Sequence, residues 1–286
     1  MIVITDSECL SYVSPGHPES PERILSSTRY LQKQIEVTVR WEHPLTVDDK
    51  ILLAAHTQKH LDRLDQGKDF DADTAWFEGI DDHARRSVGA ALKGLELIRK
   101  GQSSFSLMRP PGHHACVEKA MGFCYLNQAA IVALEAQKQG FKKVAVYDFD
   151  VHHGNGTEDI LQYRENTAFF SVHQHPCYPG TGAKSFDNIH NYPVAPGPDR
   201  GPYREALSRS LEDLKKDKAD LVIVSAGFDA YVKDPLSDAP LLPEDFEWLG
   251  KQIKNIGAPS FSLLEGGYSR ELPDLILHYL KGLETG

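Results

Sequence analysis

An α/β fold on a mostly parallel sheet, with helices on both faces, is predicted by two features of the sequence. Short apolar runs recur without a polar face, and the segments between them carry apolar residues three and four apart. Strands covered on both faces lose the alternation of a half-exposed strand, and helical crossovers are how parallel neighbours connect. A third observation concerns organisation. No repeat, Ser/Gly linker or low-complexity run interrupts the chain, so one domain over residues 1–286 with mostly short connections is expected.

The elements follow in order. Ile2-Val3-Ile4 is a β-branched run and reads as a strand. Residues 20–34 read as a helix with Ile24 and Leu31 two turns apart, 48–65 as a helix with Ile51, Leu61 and Leu64 in phase, and 79–99 as a helix through Ile80, Ala84, Val88, Ala91, Leu95 and Ile98. Phe105-Ser106-Leu107 is a strand, 127–138 a helix on Ile131 and Leu134, and Val144-Ala145-Val146-Tyr147 and Ala168-Phe169-Phe170-Ser171-Val172 are strands too apolar for a surface. Tyr203, Leu207, Leu211 and Leu214 mark a helix over 203–216, ahead of the strand Leu221-Val222-Ile223-Val224. Phe246, Leu249 and Ile256 mark a helix over 243–256, the strand Phe261-Ser262-Leu263-Leu264 follows, and Leu272, Ile276, Tyr279 and Leu283 carry a last helix over 272–283.

Composition narrows the class of function. At 286 residues, 41% hydrophobic and 25% charged, the chain has ample material for a core. Thirty-one Lys and Arg against 41 Asp and Glu give a formal charge of -10, the wrong sign for direct binding to a phosphate backbone. No run reaches the roughly 18 apolar residues of a membrane helix, and MIVITDSECL lacks the charged and apolar regions of a signal peptide, so a cytosolic protein is expected. Cys9, Cys116, Cys124 and Cys177 are too irregularly spaced for a disulfide framework or a zinc knuckle and are read as reduced packing residues.

The polar clusters fall where strands end. Arg109-Pro-Pro-Gly-His113-His114 follows one strand, Asp148-Phe-Asp150-Val-His152-His153-Gly-Asn155 another, and His173 closes a third. Ser225-Ala-Gly-Phe-Asp229 and Glu265-Gly-Gly-Tyr268 follow the last two. Ligands of open α/β sheets bind at the carboxyl edge, so these distant clusters are expected to converge on one site. In an extended segment Asp148, Asp150 and His152 point the same way. Two carboxylates and a neutral imidazole suit zinc, with Asp229 a candidate second carboxylate ligand; taken alone, an Asp at a strand end is more often a cap or turn residue. The adjacent imidazoles His113 and His114 offer a general base, or else a solvated loop pair. Tyr268 beside two glycines is either a donor to a developing oxyanion or a packed tyrosine in a turn. His153, His173 and His175 are left outside the metal set as structural histidines.

RPPGHHA, GFCYLN, YDFDVHHGNGTED, SVHQ, YPGTG, SAGFDA and LEGGY, in this order between His17 and Tyr268, resemble the zinc-dependent histone deacetylase superfamily, which includes acetylpolyamine amidohydrolases and bacterial deacetylase-like amidohydrolases. The resemblance implies a three-layer α/β, arginase/deacetylase-like fold with a sheet of about eight strands. It makes Asp150, His152 and Asp229 the zinc ligands, His114 the general base and then acid, His113 its companion backed by Asp148, and Tyr268 the group that polarises the amide carbonyl. Asn155 stands behind His114. The Gly122 carbonyl would accept the substrate amide N–H, and Phe123 and Tyr178 would wall an acyl-lysine channel, with Tyr178 where many relatives carry Phe. Asp148 and Ser171, with the carbonyls of Asp150, His152 and Val172, would hold a structural potassium; from the residues alone, Ser171 is a buried hydroxyl bonding the backbone. Asp73 and Leu236 are expected at the rim, and Leu236 stands where the polyamine-selective eukaryotic relatives carry Glu.

The activity implied is hydrolysis of N-acyl-lysine in a protein or peptide by metal-activated water, with zinc or ferrous iron as the metal. The alternatives are an amidohydrolase of acetylpolyamines or other small acylated amines, and a binding protein that keeps the acyl-lysine pocket without turnover. The complete set of core residues speaks against the last.

Overall fold

The computed structural model describes residues 1–286. Eight strands, β1 (Ile2–Ile4), β2 (Arg40–Glu42), β3 (Ser104–Ser106), β4 (Val144–Asp148), β5 (Thr167–Gln174), β6 (Ile189–Val194), β7 (Leu221–Ala226) and β8 (Ser260–Leu264), form one sheet in the order β2-β1-β3-β8-β7-β4-β5-β6. Every neighbouring pair is parallel. Nine helices accompany them: α1 (Pro21–Lys33), α2 (Asp49–Leu52), α3 (Gln58–Leu64), α4 (Ile80–Arg99), α5 (Gln128–Lys138), α6 (Asn155–Leu161), α7 (Arg200–Asp217), α8 (Pro243–Lys254) and α9 (Leu272–Thr285).

Alternate strand residues point to opposite faces, which divides the core into two layers. Tyr147, Phe170, Val222 and Val224 pack with Leu31 of α1, Leu207 of α7, Phe246 of α8 and Ile276 of α9. Val146, Phe169, Ile223 and Phe261 pack with Leu61 of α3, Val88 of α4, Ile131 of α5 and Ile160 of α6. The result is the three-layer arrangement, with the sheet covered on both faces as its apolar strands require. No helix is long and apolar enough to cross a membrane.

The structure departs from the sequence reading at the edges and in the loops. Strands β2, Arg-Trp-Glu, and β6, Ile-His-Asn-Tyr-Pro-Val, went unread because edge strands are only partly covered and carry charge, polar residues or proline. The helix expected over 48–65 is two, α2 and α3, because the Thr57 side chain accepts the His60 N–H and starts a new helix, while His56 turns inward to bond the Cys116 carbonyl at 2.9 Å. Helix α6 was hidden inside a motif. Connections are long, not short, on the carboxyl side of the sheet, where residues 107–127, 175–188 and 227–242 contain no helix or named strand. Strands β3, β8, β7, β4 and β5 are contiguous, so the polar clusters that follow them share one edge.

Candidate active site

Asp150, His152 and Asp229 come together at that edge, all buried, with a donor atom from each lying within 4.8 Å of the others. His152 Nδ1 is 3.2 Å from Asp150 Oδ1 and 3.0 Å from Asp229 Oδ2. Backbone N–H groups steady the carboxylates: Gly266 N–H donates to Asp150 Oδ2 at 2.7 Å and Val151 N–H to Asp229 Oδ1 at 2.9 Å. Glycine is required at the two closest approaches. A Cβ on Gly227 would lie 2.1 Å from Asp150 Oδ2, and one on Gly266 would lie 2.1 Å from Asp229 Oδ2.

The electrostatics of this cluster call for a cation. Burial would raise Asp150, but the charges of His113 and His152 hold it well below the usual carboxylate range. Burial and the Asp150 charge together push Asp229 up, a crowding of like charge that a cation would relieve. A donor set of two carboxylates and one imidazole, buried and converging on one point, fits a divalent metal. A second close group, His113, Cys124 and Glu265, does not. Burial pushes the Cys124 thiol well up, its sulfur donates to the Gly122 carbonyl, and Glu265 is already filled by other donors.

The two adjacent imidazoles have different partners. His113 Nδ1 donates to Asp148 Oδ2 at 3.0 Å; burial alone would lower this imidazole, but Asp150 and Asp148 outweigh it and hold it at about 10. His114 Nδ1 donates to Asn155 Oδ1 at 2.7 Å. The Asn155 amide nitrogen faces the sulfurs of Cys116 and Met121, which places its oxygen toward His114 and leaves His114 Nε2 as an acceptor. Burial first, then the charges of His113 and His152, push His114 well below its ordinary value. One imidazole is thus poised as an acid and its neighbour as a base.

A cleft of about 390 Å³ leads to these groups, lined by His17, Pro18, Asp73, His114, Gly122, Phe123, His152, Tyr178, Leu236 and Tyr268. Phe123 has φ 68°, a left-handed conformation that costs a non-glycine residue energy, and its N–H is held by Thr74 Oγ1 at 3.1 Å. Its ring meets Tyr268 edge-on at 5.8 Å, and Tyr178 meets His114 edge-on at 5.1 Å. Asp73 and Leu236 both reach the lining. Asp148 and Ser171 stand in register across β4 and β5, buried, with Ser171 Oγ 2.9 Å from His173 Nδ1. His153 bonds Thr181 and Glu158, and His173 also bonds the Gly182 carbonyl, so both are engaged away from the metal cluster. All four cysteines are free, although Cys116 and Cys124 touch Asn155 and Gly122 and do more than pack.

Several supporting residues carry no signal beyond their place in a motif. Glu265 accepts the N–H groups of Gly112 at 2.7 Å and His113 at 3.2 Å and the Ser225 hydroxyl at 2.9 Å, tying three strand-end turns together. Burial pushes its carboxyl up to about 7 against the pull of the His113 charge. Arg109, fully buried, makes a two-point pair with Glu19 at 2.6 and 2.8 Å and donates to the Cys9 and Tyr12 carbonyls, fastening the N-terminal loop under the site. His17 shapes the rim by bonding the Asp73 carbonyl at 3.1 Å and packing edge-on against Phe123 at 4.5 Å.

The chain is similar to known proteins over most of its length. The histone deacetylase domain model matches residues 17–283. An uncharacterized protein of Synechocystis sp. is 39% identical, with 96% of this chain aligned to 95% of that one. The acetylpolyamine amidohydrolase of Mycoplana ramosa is 36% identical over 74% of this chain and 66% of its own. A crystal structure of the HDA15 HD domain superimposes with a TM-score of 0.92 and 31% identity, covering 100% of this chain and 91% of that one.

Proposed function

This chain belongs to the histone deacetylase family, hydrolases acting on amide bonds, and from that premise we propose that it removes acyl groups from N-acyl-lysine in peptides or proteins. The observation that carries the reading is the convergence of Asp150, His152 and Asp229 behind a narrow cleft faced by His114 and Tyr268. Asp150, His152 and Asp229 would hold zinc, with ferrous iron the alternative. That metal supplies Lewis acidity toward a water and the amide carbonyl. His114 Nε2, an acceptor because Asn155 holds Nδ1–H, takes a proton from the attacking water. The Tyr268 hydroxyl donates to the negative charge that develops on the amide carbonyl oxygen. The C–N bond breaks as an imidazole proton passes to the departing amine nitrogen, from His114 with the charged His113 beside it; the products are a carboxylate and a free amine. The Gly122 carbonyl orients the amide N–H, and Phe123 and Tyr178 exclude water from the lysine stem. Asp148 and Ser171 would hold a potassium ion that steadies the loop carrying Asp150 and His152.

A second reading, hydrolysis of an acetylated polyamine, is supported by the relative from Mycoplana ramosa and by Asp73 in a cleft lined by no Lys or Arg. Leu236 favours the first, since an apolar side chain in the cleft wall cannot hold a distant ammonium. The test compares kcat/KM for an acetyl-lysine peptide and N8-acetylspermidine, with and without a chelator. A higher value on the peptide, abolished by the chelator, is expected; a higher value on the polyamine overturns the peptide reading, and chelator-insensitive turnover overturns the metal site. In Leu236→Glu the ratio should move toward the polyamine, and an unchanged ratio removes Leu236 from substrate choice.

A further inference from the structure

Asp234 lines no part of the cleft, yet both its carboxylate oxygens are committed to residues that do. Oδ2 accepts the Tyr268 N–H at 2.7 Å and Oδ1 accepts the Leu236 N–H at 3.0 Å, in a residue only 6% exposed. The same Tyr268 peptide unit is held at its other end. The Gly267 carbonyl accepts Arg23 Nε–H at 2.7 Å, and the guanidinium also donates to the Glu265 carbonyl at 2.5 Å and lies 4.8 Å from the centre of the Tyr268 ring. A peptide unit is a rigid plane. A guanidinium on its carbonyl and a carboxyl oxygen on its N–H therefore set its tilt, and with it the direction in which the Tyr268 side chain leaves the backbone. Gly266 and Gly267, just before it, have no side chains with which to do so.

The choice of a carboxylate is informative. It lies near the like charge of Asp229 in a poorly solvated place, which costs energy that a neutral acceptor would avoid. An amide in its place would meet one of the two N–H groups with its own NH2, whereas a carboxylate accepts from both. We propose that Asp234 is the positioning residue for Tyr268, aiming its hydroxyl at the amide carbonyl and coupling that aim, through Leu236, to the cleft wall. This rests on the reading of Tyr268 as the oxyanion donor.

The experiment is a double-mutant cycle on the metal-loaded enzyme: wild type, Asp234→Asn, Tyr268→Phe and the double variant, each with kcat and KM on an acetyl-lysine peptide, metal content and thermal melting. Asp234→Asn should lower kcat on the order of 10- to 100-fold with KM within about threefold. In the Tyr268→Phe background the same change should cost no more than about twofold, because the group it positions is gone. A merely structural role would lower the melting temperature and cost the same factor in both backgrounds, and that result overturns the clamp while leaving the reading of Tyr268 intact. Unchanged kcat in Asp234→Asn, or loss of its bound metal, also overturns it. Near-normal kcat in Tyr268→Phe overturns both. Should Asp234→Asn not fold, Asp234→Glu, which keeps both oxygens one methylene further out, goes through the same cycle with the same expectations.

Discussion

Two imidazoles in van der Waals contact distance of each other, with ring centres 4.0 Å apart, differ in what lies behind them. His113 leans on a carboxylate and His114 on an amide oxygen, so only His114 keeps a free lone pair in the cleft. His114→Ala should therefore lower kcat by about 10² to 10⁴, the usual contribution of a general base; turnover near that of the wild type removes it from the role. Tyr268→Phe should lower kcat by about 10² to 10³ with little change in KM, because its hydroxyl serves charge that appears only in the transition state. Steady-state kinetics decide both, and a loss below roughly threefold returns Tyr268 to a packing residue. At this scale the residues with chemistry of their own were legible, since Asp-x-Asp-x-His and Gly-His-His announce themselves by type and spacing. Glu265 and Asp234 were not, because a carboxylate that works by accepting backbone N–H groups looks in sequence like any other turn residue.

Asp150, His152, Asp229, the two imidazoles and Tyr268 sit on segments that leave parallel strands at their carboxyl ends, and these segments approach one another closely. Gly266 shows how little room is left: a Cβ there would lie 2.1 Å from Asp229 Oδ2 and 2.6 Å from Asp150 Oδ2. Gly266→Ala should push both carboxylates out of position and weaken metal binding on the order of 10- to 100-fold, the cost typical of disturbing groups that orient metal ligands. Metal titration of the stripped protein with a colorimetric competitor measures it, and wild-type affinity would show that the turn can shift without moving the carboxylates. Central strands were readable because burial on both faces leaves an unbroken apolar run, as in Val144–Tyr147. The edge strands β2 and β6 and the break between α2 and α3 were not, because there a cap, a partial cover or a hydrogen bond from another loop decides the backbone.

For the molecule as a whole, acid should be the weak direction. His56 is buried as a neutral imidazole that accepts the Asn127 N–H at 3.0 Å and bonds the Cys116 carbonyl, and burial, with the nearby His60, pushes it down to about 3. A folded pKa below the unfolded one means that the unfolded chain takes up the proton first. The stability is then complete above about pH 6.5 and is lost as pH falls from there toward 3, at about 1.4 kcal/mol per pH unit for this one proton. Urea midpoints measured across that window should fall with pH, and fall less steeply in His56→Gln; an equal slope in the variant would assign the acid sensitivity to other groups. Read by itself, the sequence determined the layer architecture, the parallel sheet and the strand ends that carry polar residues, because burial periodicity and residue chemistry are local properties. Only the tertiary structure decided the strand order β3-β8-β7-β4-β5, and that order makes one site of clusters separated by up to 155 residues between His113 and Tyr268. Strand order depends on which faces pack and which edges pair across the whole chain, and no local pattern records it.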